Sequence, residues 1–153
     1  MNKRIIYTTL TIIWIIFIFS FSLQPGDVSG ELSSGFGKWL MENVLFGLKG
    51  WFESLSTDEL EMLHTILRKC AHFSEFFVLG ILMLQTIRQW GFSRVMLTSL
   101  LVCMAVASVD ETIQLFVEAR SGQVSDVLLD SAGALVGITL ILLIKKNREI
   151  GAG

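Results

Sequence analysis

The chain has few of the residues that cross-link or punctuate a water-soluble domain. Its 153 residues include one proline, two cysteines and two histidines. Two cysteines provide no disulfide framework, and two histidines argue against a tightly held transition metal. No basic tract suggests a nucleic-acid partner, and no Ser-His-acid arrangement or nucleotide-binding loop occurs. These absences leave no tightly held transition metal, no cofactor and no nucleic acid among the expected ligands.

Charged residues are also scarce, at 17% of the chain, whereas hydrophobic residues reach 52%. Long apolar runs with almost no proline are typical of membrane helices, which need about 20 apolar residues each. The sequence predicts one all-α domain over residues 1–153, an integral membrane four-helix bundle. The predicted spans are residues 5–23, 72–90, 93–110 and 127–144.

The first outer loop contains aromatic and charged residues mixed over residues 36–55. This mixture predicts an amphipathic helix lying in the membrane interface, although a loop helix packed on the protein would need the same apolar face. Ser56 and Glu59 form a capping-box pattern, which predicts a helix start. Gly133 and Gly137 give the fourth span a small-residue face that permits close helix packing.

Basic residues set the orientation of membrane proteins. With the N-terminus inside, the inner side holds seven basic residues and one acid, and the outer side holds five basic residues and thirteen acids. Both termini are then predicted to be cytoplasmic. Every polar cluster of the spans falls at the outer end. Charge is costly in a bilayer, so these clusters mark a candidate functional site.

The second and third spans carry titratable groups at this end. Arg68, His72 and Glu75 share one helix face by their i, i+4, i+7 spacing. Asp110 and Glu111 end the third span, one turn before Gln114. Paired carboxylates can act as general acid and base, or hold a divalent cation with His72 or Glu75. They can equally be the solvated end of a helix.

The remaining polar groups lie at the first and fourth spans. Ser20, Ser22 and Gln24 end the first span at the same level. Arg120 lies in the third connection, where Ser125 is a candidate helix cap and Asp126 complements the helix dipole. Asp130 lies one turn deeper, so we expect it to face the bundle interior.

These strings resemble the VanZ-like family of small bacterial membrane proteins. The resemblance covers most of residues 20–137 and rests on four strings: Phe21 to Gln24, Arg68-Lys69-x-x-His72-Phe73-x-Glu75-Phe76, Asp110-Glu111-x-x-Gln114-x-Phe116, and Arg120-x-Gly122-x-x-x-Asp126-Val127-x-x-Asp130-x-x-Gly133. Phe76 stands where the family often has Tyr, and Asp130 where it often has Asn. The family's namesake is associated with low-level resistance to teicoplanin, so the resemblance implies a bacterial cell-membrane protein but no mechanism.

Three functions fit these residues. The first is binding of an anionic amphiphile, an envelope lipid or a lipoglycopeptide, by a basic and polar set: Arg68, Lys69, Gln24, Gln114, Arg120, Asp126 and Asp130. The second is a membrane enzyme acting on a lipid-linked precursor, with a catalytic set of Glu75, His72, Asp110 and Glu111. The third is a structural protein whose polar groups only join helices. Basic groups beside a groove that opens sideways would favour amphiphile binding. An open pocket with an unpaired acid or base would favour the enzyme. Full mutual pairing of the polar groups with no cavity would favour the structural protein.

Overall fold

The computed structural model describes residues 2–26, 35, 39 and 54–150, with described side chains as far as residue 147. These residues form four long α-helices and no strand. The helices are α1 (Lys3–Ser22), α2 (Thr57–Gln89), α3 (Val95–Gln114) and α4 (Val124–Ile150). The predicted all-α fold is therefore confirmed. The predicted interfacial helix over residues 36–55 falls almost wholly outside the described residues.

All four helices are long and apolar enough to cross a membrane. Large apolar side chains point away from the bundle, as shown by exposed fractions of 62% for Ile16, 56% for Leu101 and 63% for Leu128. Such outward apolar faces would be unfavourable in water but match the hydrocarbon interior of a bilayer. The chain is therefore a multi-pass membrane protein built as a four-helix bundle.

Local sequence signals explain where two of these helices begin. Ser56 and Glu59 form the predicted capping box, because the Ser56 N–H donates to the Glu59 carboxylate at 2.8 Å and Glu59 N–H donates back to Ser56 Oγ. The prediction for α4 is wrong in one detail. The helix begins at Val124, so Ser125 lies inside its first turn and its hydroxyl contacts Gln123 and Asp126 instead of capping. Asp126 does lie in the first turn, as predicted.

Glycines bring α2 and α4 into close contact. A Cβ atom added at Gly133 or Gly137 would lie 2.4 Å from the Phe73 carbonyl oxygen or 2.2 Å from that of Phe77, closer than any ordinary contact. Gly80 on α2 approaches the α4 backbone in the same way. The predicted small-residue face is therefore confirmed, and only hydrogen atoms fit between these backbones.

Hydrogen bonds fix α1 against α2 along its length. Thr11 and Thr86 hydroxyls pair at 2.8 Å in the buried interface. The Trp14 indole N–H donates to the Glu75 backbone carbonyl at 2.9 Å. At the end near the chain's N-terminus, Arg4 lies 3.4 Å from the centre of the Trp90 ring. These contacts set the position of α1 along the bundle axis, and with it the level at which Ser22 and Gln24 lie at the end of the bundle.

Candidate functional site

The buried polar atoms that lack hydrogen-bond partners all lie at one end of the bundle. Within the described part of the chain there are six such atoms: Ser22 Oγ, Gln24 Oε1, His72 Nδ1, Asp110 Oδ1, and both carboxylate oxygens of Asp130. Buried polar groups are nearly always paired, so each exception needs a physical explanation. Their concentration at the end of α1, α3 and the start of α4 identifies a site rather than scattered packing defects.

Four titratable residues form the centre of this site, and we call them the carboxylate–histidine cluster: His72, Asp110, Glu111 and Asp130. One potential ligand atom of each lies within 4.8 Å of those of the other three. His72 Nδ1 lies 3.9 Å from Asp110 Oδ2 and 4.0 Å from Asp130 Oδ2, both too long for hydrogen bonds. Asp110 and Asp130 are fully buried. Three helices thus direct donor atoms toward one point.

Gln114 and the start of α4 hold the two α3 carboxylates in place. The Gln114 side-chain amide donates to Asp110 Oδ2 at 3.1 Å and to Glu111 Oε1 at 3.2 Å. The backbone N–H of Gln123 donates to Glu111 Oε2 at 2.8 Å. Glu111 therefore joins the end of α3 to the residue before α4. These bonds orient Asp110 and Glu111 but leave Asp110 Oδ1 without a partner.

Arg120 joins the third connection to the end of α1. Its Nε donates to the Gln24 carbonyl at 3.2 Å and its Nη2 to the Phe21 carbonyl at 3.1 Å. Its Nη1 lies 3.4 Å from Gln114 Oε1. Burial and the neighbouring Arg68 lower the pKa of Arg120, which the nearby carboxylates oppose; an arginine remains charged at neutral pH all the same. The guanidinium thus satisfies the last carbonyls of α1 and places a positive charge beside the cluster.

Lys69, Arg68 and Glu75 lie around the cluster on α2. Lys69 forms a salt bridge with Asp126 while 37% of its side chain stays exposed. Arg68 is half-buried and has no salt bridge to any described residue. Its charge interacts with His72, Glu111 and Arg120. The half-buried Glu75 interacts electrostatically with Asp110 and Arg120.

A groove opens sideways between α2 and α4 next to Lys69. We call it the lateral groove; its volume is about 400 Å³ and its lining is Ile66, Lys69, Cys70, Phe73, Ser74 and Leu129. Its surface is almost entirely apolar apart from Lys69 and Ser74. Because Ile66 and Cys70 are exposed, the groove faces the surroundings of the bundle and not its interior. An apolar slot with a cation at its edge suits an amphiphile.

The structure brings most of the predicted site residues together. His72, Asp110, Glu111, Gln114 and Asp130 meet in and around the cluster. Arg120 reaches it from the loop, Lys69 and Asp126 form a pair beside it, and Gln24 contributes a buried, unpartnered side-chain oxygen.

Two contributors lie outside the predicted set. Ser22 is one of the polar residues that end the first span, and it is fully buried with an unpartnered hydroxyl, whereas its neighbour Ser20 bonds within α1. The Ser22 hydroxyl approaches the Asp110 carboxylate outside hydrogen-bonding geometry. The other contributor is the backbone N–H of Gln123. Since every residue except proline has such an N–H, the residue type at position 123 does not predict this contact.

Four apolar helices that collect titratable groups at one end define a small multi-pass membrane protein with an intramembrane polar site. The model of the VanZ/LLP1 family matches residues 7–145, which include most of each of the four helices and the whole of the site. The chain belongs to this family. No curated protein and no solved structure matches the chain.

Proposed function

We propose that this protein binds an anionic amphiphile of the bacterial cell envelope at the outer-leaflet end of its bundle. The observation that carries the proposal is the lateral groove, an apolar slot between α2 and α4 with Lys69 at its polar end. Acyl chains would pack against Phe73 and Leu129. A phosphate or carboxylate headgroup would lie near the Lys69 ammonium.

The basic residues around the groove support an anionic headgroup. Lys69 is paired with Asp126 but keeps part of its ammonium side chain exposed, so an entering anion can share it. Arg68 has no salt bridge among the described residues and presents a planar fork suited to phosphate or carboxylate. Arg120 is already bound to backbone carbonyls, so its part is to hold the site's shape and charge.

The proposed orientation places the site outside. Lys3, Arg4, Arg88 and Arg94 lie at the end of the bundle opposite the cluster, where positive charge favours the cytoplasm. Both termini are then cytoplasmic, and the groove opens into the outer leaflet. Envelope lipids occur there, and a lipoglycopeptide such as teicoplanin would reach the same leaflet through its acyl tail. Binding of such an antibiotic in the lateral groove would be one mechanism of resistance.

Cys70 provides a direct test because it lines the groove and is exposed, whereas Cys103 is fully buried. The purified protein would be placed in nanodiscs of phosphatidylcholine with or without phosphatidylglycerol. The rate at which a neutral maleimide modifies Cys70 would then be measured. Phosphatidylglycerol in the groove should shield the thiol, slowing modification about threefold at twice the dissociation constant.

A matched pair of variants separates groove binding from a general effect of anionic lipid. Lys69→Gln should remove the protection, because it removes the ammonium beside Cys70. Lys3→Gln removes the same charge from the exposed opposite end and should leave the protection intact. Equal protection in wild type and Lys69→Gln, or no protection in wild type, would contradict the proposal.

The unpartnered groups of the cluster favour one second candidate, a membrane enzyme acting on a lipid-linked substrate. Acid–base chemistry needs a titratable group that is not already paired, and His72 Nδ1 and the Asp130 carboxylate meet that condition. Glu75 is half-buried and directly follows the groove residue Ser74 in the sequence. Conversion of a bound lipid by wild type, and its loss in Glu75→Gln, would support this candidate over simple binding.

A further inference from the structure

The carboxylate–histidine cluster has a geometry that neither a lipid headgroup nor helix packing explains. Its four side chains come from α2, α3 and α4 and converge deep in the end of the bundle. Asp110 and Asp130 are fully buried, so a bulky headgroup cannot contact them. The unpartnered atoms of His72, Asp110 and Asp130 therefore need another binding partner.

The members of the cluster do not satisfy one another. His72 Nδ1 faces Asp110 Oδ2 at 3.9 Å and Asp130 Oδ2 at 4.0 Å, about 1 Å beyond a hydrogen bond. The Asp130 carboxylate has no hydrogen-bond partner on either oxygen within the described residues. A buried, unpartnered carboxylate beside two others is strongly unfavourable in its ionised form, and either a bound proton or a cation would compensate it.

In its ionised form the cluster carries an excess of negative charge. Lys69 and Asp126 neutralise each other in their salt bridge. Among the described residues, Asp110, Glu111 and Glu75 interact electrostatically with the guanidinium group of Arg68 or Arg120, and Asp130 lies beside the other carboxyls. Fully ionised, these four carboxyls carry two more charges than the two guanidinium groups, which is the charge that one divalent cation balances.

Contrary to the expectation drawn from the two histidines, we propose that His72, Asp110, Glu111 and Asp130 bind one divalent cation of the first transition series. One imidazole nitrogen with three carboxylates suits Mn²⁺, Fe²⁺ or Zn²⁺, and disfavours Ca²⁺, which takes oxygen ligands. Two ligand atoms at about 2.1–2.2 Å from such an ion lie at most about 4.4 Å apart. The His72 distances of 3.9 and 4.0 Å fit that limit, and the widest separation of 4.8 Å needs a contraction of a few tenths of an ångström.

Further contacts orient the proposed ligands from behind. Gln114 donates to Asp110 and Glu111, and the Gln123 N–H donates to Glu111. Ligating carboxylates are commonly fixed by such bonds, which hold the unshared lone pairs toward the metal. Asp110 Oδ1 and both Asp130 oxygens have no hydrogen-bond partner and are available to the ion. Each Glu111 oxygen accepts one hydrogen bond and keeps a second lone pair for the ion. This cation site does not rest on the proposed amphiphile binding, because it uses neither Lys69 nor the lateral groove.

The test is a Mn²⁺ titration of chelator-treated full-length protein, carrying no polyhistidine tag, followed by electron paramagnetic resonance. Wild type should bind one Mn²⁺ per chain, and Zn²⁺ should displace it. Asp130→Asn should bind Mn²⁺ about tenfold more weakly or worse, since even groups behind the ligands cost that much. Glu118→Gln removes a carboxylate from an exposed loop position and should bind as wild type does.

Thermal unfolding provides a second readout that does not depend on affinity. Mn²⁺ should raise the unfolding temperature of wild type and of Glu118→Gln but not that of Asp130→Asn. Without metal, and at an alkaline pH where the Asp130 carboxyl is ionised, Asp130→Asn should unfold at a higher temperature than wild type, because one uncompensated buried charge is gone. His72→Gln tests the same ligand set should the Asp130 variant fail to fold. Absence of stoichiometric Mn²⁺ and Zn²⁺ binding by wild type, or binding unchanged in both cluster variants, would overturn the proposal.

Discussion

Gly137→Ala should destabilise the protein although it replaces a helix-weakening residue by the best helix former. In an open helix this change gains about 1 kcal/mol. Here the added Cβ would lie 2.2 Å from the Phe77 carbonyl oxygen, and an ordinary contact begins at 3.4 Å, so α2 and α4 must separate by about 1 Å. Overpacking of this kind costs about 1–3 kcal/mol, or more where backbone has to move. Because the clash here is with a backbone carbonyl, the cost should lie in the upper part of this range, at about 2–3 kcal/mol, and the net loss in the free energy of unfolding should be about 1–2 kcal/mol.

The assay is reversible unfolding by SDS in mixed micelles, followed by circular dichroism. Ala132→Leu is the matched control, because Ala132 lies on the exposed face of the same helix and its free energy of unfolding should change by less than about 0.5 kcal/mol. A Gly137→Ala protein as stable as wild type, or more stable, would refute the argument that backbone contact sets the α2–α4 distance. The same separation would pull His72 away from Asp130, so the variant should also weaken Mn²⁺ binding.

The remaining predictions concern the loop and the orientation. Arg120→Gln should lower the free energy of unfolding, measured in the same SDS assay, by about 2 kcal/mol, because two carbonyls at the end of α1 lose a charged donor. Arg120→Lys should recover only part of this loss, since an ammonium cannot present the same planar fork. Full recovery in Arg120→Lys would contradict this explanation. Membrane-impermeant maleimide applied to intact cells should modify Cys70 before lysis if the polar end faces outside. Modification only after lysis would reverse the orientation.

Much of the fold follows from local signals that survive in any context. A capping box is a property of four neighbouring residues, so Ser56 and Glu59 predict the start of α2 correctly. Small residues four apart predict a packing face, and Gly133 and Gly137 form it. Apolar runs of membrane length predict the four helices because the bilayer imposes that length on any span.

The assembly of the site depends on helix rotation, which a single sequence does not specify. The pattern places His72, Asp110 and Asp130 at one level, but only the packing of α2 against α3 and α4 directs all three to one point. Arg120 shows the same limit differently. Its charge predicts a ligand contact, which stays a prediction, and no residue pattern shows that its donors reach the carbonyls of Phe21 and Gln24, nearly 100 residues earlier in the chain.

Native mass spectrometry would show directly whether the bundle retains an anionic envelope amphiphile. Wild type, Lys69→Gln and Lys3→Gln would each be incubated with a bacterial envelope-lipid extract and then analysed. We expect wild type and Lys3→Gln to retain an anionic lipid of unchanged mass, and Lys69→Gln to lose it. Retention of the same lipid by all three proteins, or by none, would contradict it.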